Sequence, residues 1–178
     1  MDQIILFLAA VFFLSFFFLW RQSSSQRSKV QGVVKELWVY PIKSCRGIQL
    51  SKAEFSLNGF AYDRLFMITD QSHRFISQRT HPKLALLEPS FQRFGHLTLT
   101  NPLTQTSVEI PLEEPATPYE VHDVTVWGDT CEGIDMGDQV AKLINEFLGT
   151  GQEMRLMRMP DAYERKTDRY PPSSPSLT

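Results

Sequence analysis

Tyr40-Pro41-Ile42-Lys43-Ser44-Cys45-Arg46-Gly47 follows residues 32–39, a run rich in Val, Leu and Trp that reads as a β-strand. Pro41 removes a backbone donor and ends regular pairing. Lys43, Ser44 and Arg46 then crowd a short loop, and Gly47 is able to take a left-handed turn. An ammonium, a hydroxyl and backbone N–H groups in one short loop have the donor chemistry to wrap a phosphate. The same residues also read as a surface turn with solvated charges. Strand then basic loop sets the expectation for the rest of the chain: a β fold with polar chemistry at strand ends.

Outward from this loop, short strands recur. Lys52-Ala53-Glu54-Phe55-Ser56-Leu57 alternates, with Ala53, Phe55 and Leu57 on one face, and predicts a half-buried strand before an Asn58-Gly59 turn. Residues 65–69 form an apolar strand, which Asp70-Gln71-Ser72-His73 turns back into Arg74-Phe75-Ile76-Ser77 as a hairpin. His96-Leu97-Thr98-Leu99-Thr100 alternates, turns at Asn101-Pro102 and returns through Val108, Ile110 and Leu112. Val124-Thr125-Val126-Trp127 precedes a turn at Gly128-Asp129. Only residues 138–148 change period: Val140, Ala141, Leu143, Ile144, Phe147 and Leu148 form the stripe of an amphipathic helix. Asp135 or Asp138 is available as its N-cap, and Gly149 as its stop. Many short strands with one late helix predict a mainly β (α+β) fold, a small β-barrel or curled antiparallel sheet capped by that helix.

Before the body, residues 4–20 are apolar except for Ser15 and carry six phenylalanines. Such a run makes roughly 25 Å of helix, at the short end of what crosses a bilayer. It lacks the basic start and small-residue cleavage site of a signal peptide. Residues 1–21 therefore read as a membrane anchor and residues 22–32 as a polar linker. Arg21, Arg27 and Lys29 follow the run, which predicts a body on the cytosolic side. The β-domain spans 33–159, and residues 160–178, rich in Pro and Ser, read as a mobile tail unless something further holds them.

Charge and cysteine usage narrow the chemistry. A net charge of −2 argues against a general nucleic-acid binder. Cys45 and Cys131 form no CxxC pair, and the histidines show no metal-ligand spacing, so no metal site is assigned. Asp63-Arg64-Leu65-Phe66 opens a strand with an arginine able to offer its planar fork to a phosphate or carboxylate, or to pair with Asp63. Ser77-Gln78-Arg79 reads as a solvated turn, and Glu113 and Glu114 as solvated acids.

Taken in order, the anchor, residues 37–47, residues 62–68 and Phe75-Ile76-Ser77-Gln78-Arg79-Thr80-His81-Pro82-Lys83-Leu84 form a series that resembles the N-terminal β-barrel of the MOSC family, in particular its mitochondrial amidoxime-reducing branch. The resemblance implies binding of the molybdenum cofactor (molybdopterin), with Lys43, Ser44 and Arg64 at the phosphate-holding positions. It implies reduction of small N-hydroxylated substrates, with electrons from cytochrome b5 and its NADH-dependent reductase. It also implies a location in the mitochondrial outer membrane; pattern alone leaves the endoplasmic reticulum as the alternative. The family's molybdenum-ligating cysteine lies in a C-terminal domain, and neither Cys45 nor Cys131 matches it, so no catalytic residue is assigned. The chain is expected to be a truncated form that holds the cofactor weakly or not at all. On that expectation it acts either as the N-terminal part of an oxidoreductase or as a non-catalytic, membrane-tethered module binding an anion or a partner protein.

Overall fold

Period-2 alternation places Leu97 and Leu99 on one face of their strand, and both are fully buried. In the computed structural model, which describes residues 32–56, 59–92, 95–116 and 119–163, this strand is the middle of a three-stranded antiparallel sheet. Its members are β6 (Glu88–Phe91), β7 (His96–Thr100) and β8 (Ser107–Pro111). Backbone contacts divide the chain into Met1–Lys35 and Glu36–Thr178, and the fold described here is that of the second unit.

β1 (Leu37–Val39) and β2 (Ile48–Leu50) pair antiparallel, so the loop at 40–47 closes a hairpin. β3 (Phe55–Ser56) and β4 (Gly59–Phe60) form a second, minimal hairpin. Here the alternation misled. Phe55 is 80% exposed and stacks on Phe60, with ring centroids 4.9 Å apart. A two-residue strand has no sheet face to bury against, so its ring finds a neighbour across the hairpin instead.

β5 (Phe66–Asp70), β9 (Val121–Val126), β10 (Asp129–Asp135) and β11 (Met154–Arg158) form a four-stranded antiparallel sheet in the order β5-β11-β10-β9. The sheet curls until residues 73–76 bridge its two edges. On one side Asp70 N–H donates to Arg74 C=O and Ile76 N–H to Ile68 C=O. On the other, Phe75 N–H donates to Thr125 C=O and Thr125 N–H to His73 C=O. The expected hairpin of 65–69 with 74–77 is therefore real but short, and its return segment closes a ring.

The curled sheet buries both faces. Phe66, Ile68, Met154 and Leu156 join the main core, while Met67, Val124 and Met157 form a second cluster with Phe75, Val126 and Cys131 packed against it. Gly133 serves this second cluster: a Cβ there would lie 2.9 Å from Val124 Cγ2 and 3.2 Å from Met157 Cβ. The helix α1 (Asp138–Leu148) packs on β11 and β8 through the six apolar residues of its stripe, all buried. Ala141 apart, each such side chain contributes about 1.5–3 kcal/mol on burial. Asn145 pins the helix to β11 by accepting the Met154 N–H (2.8 Å) and donating to the Met154 C=O (3.1 Å). Gly149 ends it in the left-handed conformation, as expected. Its N-cap is Gly137 rather than an aspartate; Asp135 instead accepts the Gly137 N–H from just outside the helix.

Among the described residues the domain is thus mainly β with a single α-helix, built of curled antiparallel sheets. The anchor, most of the linker and residues 164–178 of the tail lie outside the described residues. Among the described residues no helix is long and apolar enough to cross a membrane. The beginning of the tail is held: Pro160 is buried and Asp161 N–H donates to Glu114.

Candidate functional site

Two segments distant in sequence meet at the loop after β1, and backbone hydrogen bonds lock their register. Tyr40 C=O accepts the Arg64 N–H (2.8 Å), Pro41 C=O accepts the Phe66 N–H (2.9 Å), and Phe66 C=O accepts the Lys43 N–H (2.8 Å). Ile42 and Phe66 form a parallel bridge, and both are fully buried. Pro41 suits this arrangement because only its carbonyl is asked to bond. The structure therefore brings the Lys43–Ser44 loop and Arg64 together, a juxtaposition that no local sequence signal carries.

The loop is strained where its chemistry sits. Cys45 N–H bonds to Ile42 C=O (3.1 Å), leaving Lys43 and Ser44 as the central residues of a tight turn. Ser44 has φ 72° and Arg64 has φ 54°. Left-handed backbone costs a non-glycine residue about 1–2 kcal/mol. Such outliers persist only where their surroundings over-determine them, and they gather at binding sites. The left-handed residue of the loop is thus Ser44, not Gly47. Gly47 is needed for another reason: a Cβ there would stand 2.7 Å from Tyr40 Cε1.

The side chains divide the positive charge. Arg64, with 58% of its side chain exposed, ion-pairs with Asp63 through Nη1 alone, and its guanidinium lies 5.4 Å from the Tyr40 ring centroid. Among the described residues its Nε and Nη2 have no recorded partner. Lys43 Nζ lies 4.3 Å from the Phe75 ring centroid. The two cations therefore share a stitched backbone but rest on different rings. Arg46 likewise pairs through Nη1, with Glu88. Sequence reasoning offered Asp63 as the partner of Arg64, which the structure bears out, but left Tyr40 without a role here. Tyr40 offers its N–H to Asp63 Oδ1 (2.8 Å), its C=O to Arg64 and its ring to the guanidinium.

The remaining candidates resolve structurally. Cys45 is buried, and desolvation pushes its thiol up to about 12, far from a thiolate at neutral pH. Cys131 is half-buried, with Sγ 3.5 Å from the Val124 carbonyl. Among the described residues no three His, Cys, Asp or Glu side chains cluster as a metal site would require. Ser77 is buried, and its carbonyl accepts the Thr80 and His81 N–H groups, so Ser77-Gln78-Arg79 is a built turn. Arg79 places its guanidinium 5.5 Å from the Trp127 ring centroid. Glu114 is not merely solvated. It accepts the Asp161 N–H (2.6 Å), the Tyr119 hydroxyl and Arg158 Nη1, and these bonds, the Asp161 one foremost, hold its carboxyl below the usual range. A point charge, a hydroxyl and a half-engaged guanidinium fit the oxygens of a phosphate monoester. The described residues thus suit the phosphate end of a cofactor.

Residues 31–151 match the MOSC N-terminal beta barrel domain. The chain is 29% identical over 164 residues to the mitochondrial amidoxime reducing component 2 of Rattus norvegicus, covering 87% of this chain and 47% of that protein. It is 33% identical over 121 residues to the mitochondrial amidoxime-reducing component 1 of Homo sapiens, covering 66% and 35%. Against the molybdenum cofactor sulfurase of Homo sapiens it is 26% identical over 117 residues, covering 66% and 13%. The chain spans less than half the length of each of these relatives.

Proposed function

The chain belongs to the MOSC N-terminal β-barrel family, and we propose that it supplies the phosphate-holding part of a molybdenum-cofactor oxidoreductase that reduces N-hydroxylated compounds. The observation that carries this reading is the backbone lock between residues 40–43 and 64–66, which gathers Lys43, Ser44 and Arg64 at one strand end. Lys43 would bring a point charge to the cofactor's phosphate, Ser44 a hydroxyl, and Arg64 its Nε–Nη2 edge. The cofactor, when bound, supplies the redox chemistry that cleaves an N–O bond. The chain's own residues bind and orient its phosphate end. Cytochrome b5 and its NADH-dependent reductase are the proposed electron donors. Residues 4–20 would tether the body to the mitochondrial outer membrane, facing the cytosol as Arg21, Arg27 and Lys29 direct. Protease added to intact mitochondria should then remove the body, and a protected body overturns that orientation.

A second reading, a tethered module that binds an anion or partner without catalysis, rests on the cysteines. Burial keeps the Cys45 thiol protonated at neutral pH, and the family resemblance matches neither Cys45 nor Cys131 to the molybdenum-ligating cysteine. Fused to the C-terminal domain of a family member, the chain should retain molybdenum on the first reading only, and this separates the two.

The phosphate site itself is tested on the full chain in detergent by titration with inorganic phosphate. Lys43→Ala and Arg64→Ala each remove a charge-assisted contact and should weaken binding roughly ten- to hundredfold. Arg46→Ala should change little, because the family resemblance assigns Arg46 no phosphate-holding position. Unaltered phosphate binding in the Lys43→Ala, Arg64→Ala double variant defeats the reading.

A further inference from the structure

Asp63 occupies the middle of the lock, and its carboxylate is used twice. Oδ1 accepts the Tyr40 N–H at 2.8 Å, and Oδ2 pairs with Arg64 Nη1. Its side chain is 19% exposed, against 58% for Arg64. Tyr62 and Arg64, on either side of it, both have left-handed backbone, at φ 64° and 54°. Three consecutive residues thus form a turn that an ordinary L-sequence avoids unless fixed from outside. The fixing contacts are visible. Asp63 N–H bonds to Phe60 C=O (3.1 Å), Arg64 N–H to Tyr40 C=O (2.8 Å), and the Asp63 carboxylate to the Tyr40 N–H.

We infer that Asp63 is the positioning residue of the phosphate site: it clamps the end of β1 to the Arg64 turn and aims the guanidinium's Nε–Nη2 edge outward for the anion. This inference rests on the phosphate reading above. An Asp–Arg pair at a surface commonly does no more than neutralise charge, and a neutralising aspartate competes with any incoming anion. The geometry separates the two roles. Neutralisation needs only Oδ2 at Nη1. The bond from Oδ1 to Tyr40 instead holds the residue whose carbonyl accepts the Arg64 N–H and whose ring lies under the guanidinium. By occupying Nη1, Asp63 also leaves the opposite edge of the fork, which suits two oxygens of one phosphate.

The two roles give opposite orders of affinity. An amide oxygen can still accept the Tyr40 N–H, so Asp63→Asn keeps the clamp and removes the competing charge. Asp63→Ala removes both. The full chain in detergent is titrated with inorganic phosphate, with Arg64→Ala as the reference variant and thermal midpoints recorded for all. The expected order is Asp63→Asn at least as tight as the native chain, and Asp63→Ala weaker by roughly tenfold. Weakening in Asp63→Ala beside retention in Asp63→Asn is the result that charge neutralisation cannot produce, since neutralisation alone makes both variants at least as tight as the native chain. Asp63→Ala binding phosphate as tightly as the native chain, or Asp63→Asn binding as weakly as Asp63→Ala, overturns the inference. If Arg64→Ala itself leaves phosphate binding unchanged, the phosphate reading fails first and takes this inference with it. Should Asp63→Ala not fold, the Asn variant alone decides: a loss of tenfold or more there is fatal.

Discussion

Two arginines in this domain are used in opposite ways. Arg158, at the end of β11, is 3% exposed, and its guanidinium is enclosed by acceptors. Nε and Nη2 donate to Leu112 C=O (3.2 and 2.9 Å), Nη1 to Met159 C=O (2.8 Å) and Glu114 (3.5 Å), and Nη2 also to Asp161 (2.7 Å). Arg64 sits on a strained turn with most of its side chain in solvent and one amino group paired. A buried charge survives only when its donors are met, since desolvation costs several kcal/mol otherwise. Arg158 is therefore a structural tie between β11, the segment after β8 and the start of the tail. Spare donors on strained backbone are the mark of a residue kept for something outside the chain. Arg64 carries both, and the location of unmet donors says more about function here than the count of basic residues.

The largest expected effect tests the first half of that contrast. Arg158→Ala removes a buried guanidinium and leaves Leu112 C=O and the partly open Glu114 without their donor, and should destabilise the domain by about 1–3 kcal/mol. Urea unfolding of the full chain in detergent measures it. Arg158→Met, which refills the volume, should recover part of the loss. A cost under about 1 kcal/mol for Arg158→Ala would place this arginine with ordinary surface cations and collapse the comparison.

Arg64→Ala sharpens the other half. Its ion pair is exposed, so removing it should shift stability by at most about 1 kcal/mol, while phosphate affinity falls as described above. Arg64→Lys should restore only part of the binding, because an ammonium lacks the planar fork. A smaller effect is expected at the neighbouring strained residue. Ser44→Gly relieves left-handed backbone but adds freedom to the unfolded chain, so the net gain should be about 0.5–1 kcal/mol. Phosphate binding should nevertheless weaken, because the hydroxyl is gone. A Ser44→Gly chain that is both more stable and equally good at binding phosphate would show that the strain serves no ligand.

How much of this was legible from the residues depends on range. The β7–β8 hairpin, the end of β9 with its turn, and α1 were readable because their signals are local: alternation, turn residues and a 3.6-residue stripe ending in glycine. β11 was not. Met154-Arg155-Leu156-Met157-Arg158 has no β-branched residue, and it is buried on both faces, so no clean alternation appears. Yet it is the strand that joins β5 to β10. The two-residue β3 failed in the opposite sense, with perfect alternation and no sheet behind it. At the site, Lys43, Ser44 and Arg64 were individually visible, but the lock that gathers them is made of backbone bonds between residues more than 20 apart. Glu114 was misread for the same reason, since its partners Asp161 and Arg158 lie over 40 residues away.

Glu114 gives the smallest expected effect and asks how far the Arg158 tie is electrostatic. Its folded carboxyl is held below the ordinary 4.5, first by the Asp161 N–H and then by the Tyr119 hydroxyl, with Arg158 contributing less. A carboxylate whose folded pKa is depressed stabilises the fold most fully above its unfolded value. That contribution is lost as pH falls through the folded pKa, when the native carboxylate finally takes its proton. Glu114→Gln cannot ionise, so its thermal midpoint should lie below the native one by a gap that is steady from pH 7 to about 5. Below 4.5 the gap should narrow, because only the native chain loses stability there through this group. The carboxylate is partly open to solvent, with a side chain 21% exposed, so screening keeps the gap small. Melting curves of the two proteins at matched ionic strength, from pH 7 to pH 3, make the test. A gap that stays constant over that range, or widens on acidification, means that Glu114 holds Arg158 and Asp161 by shape alone. The tie around the buried arginine would then owe its strength to the Leu112 and Met159 carbonyls.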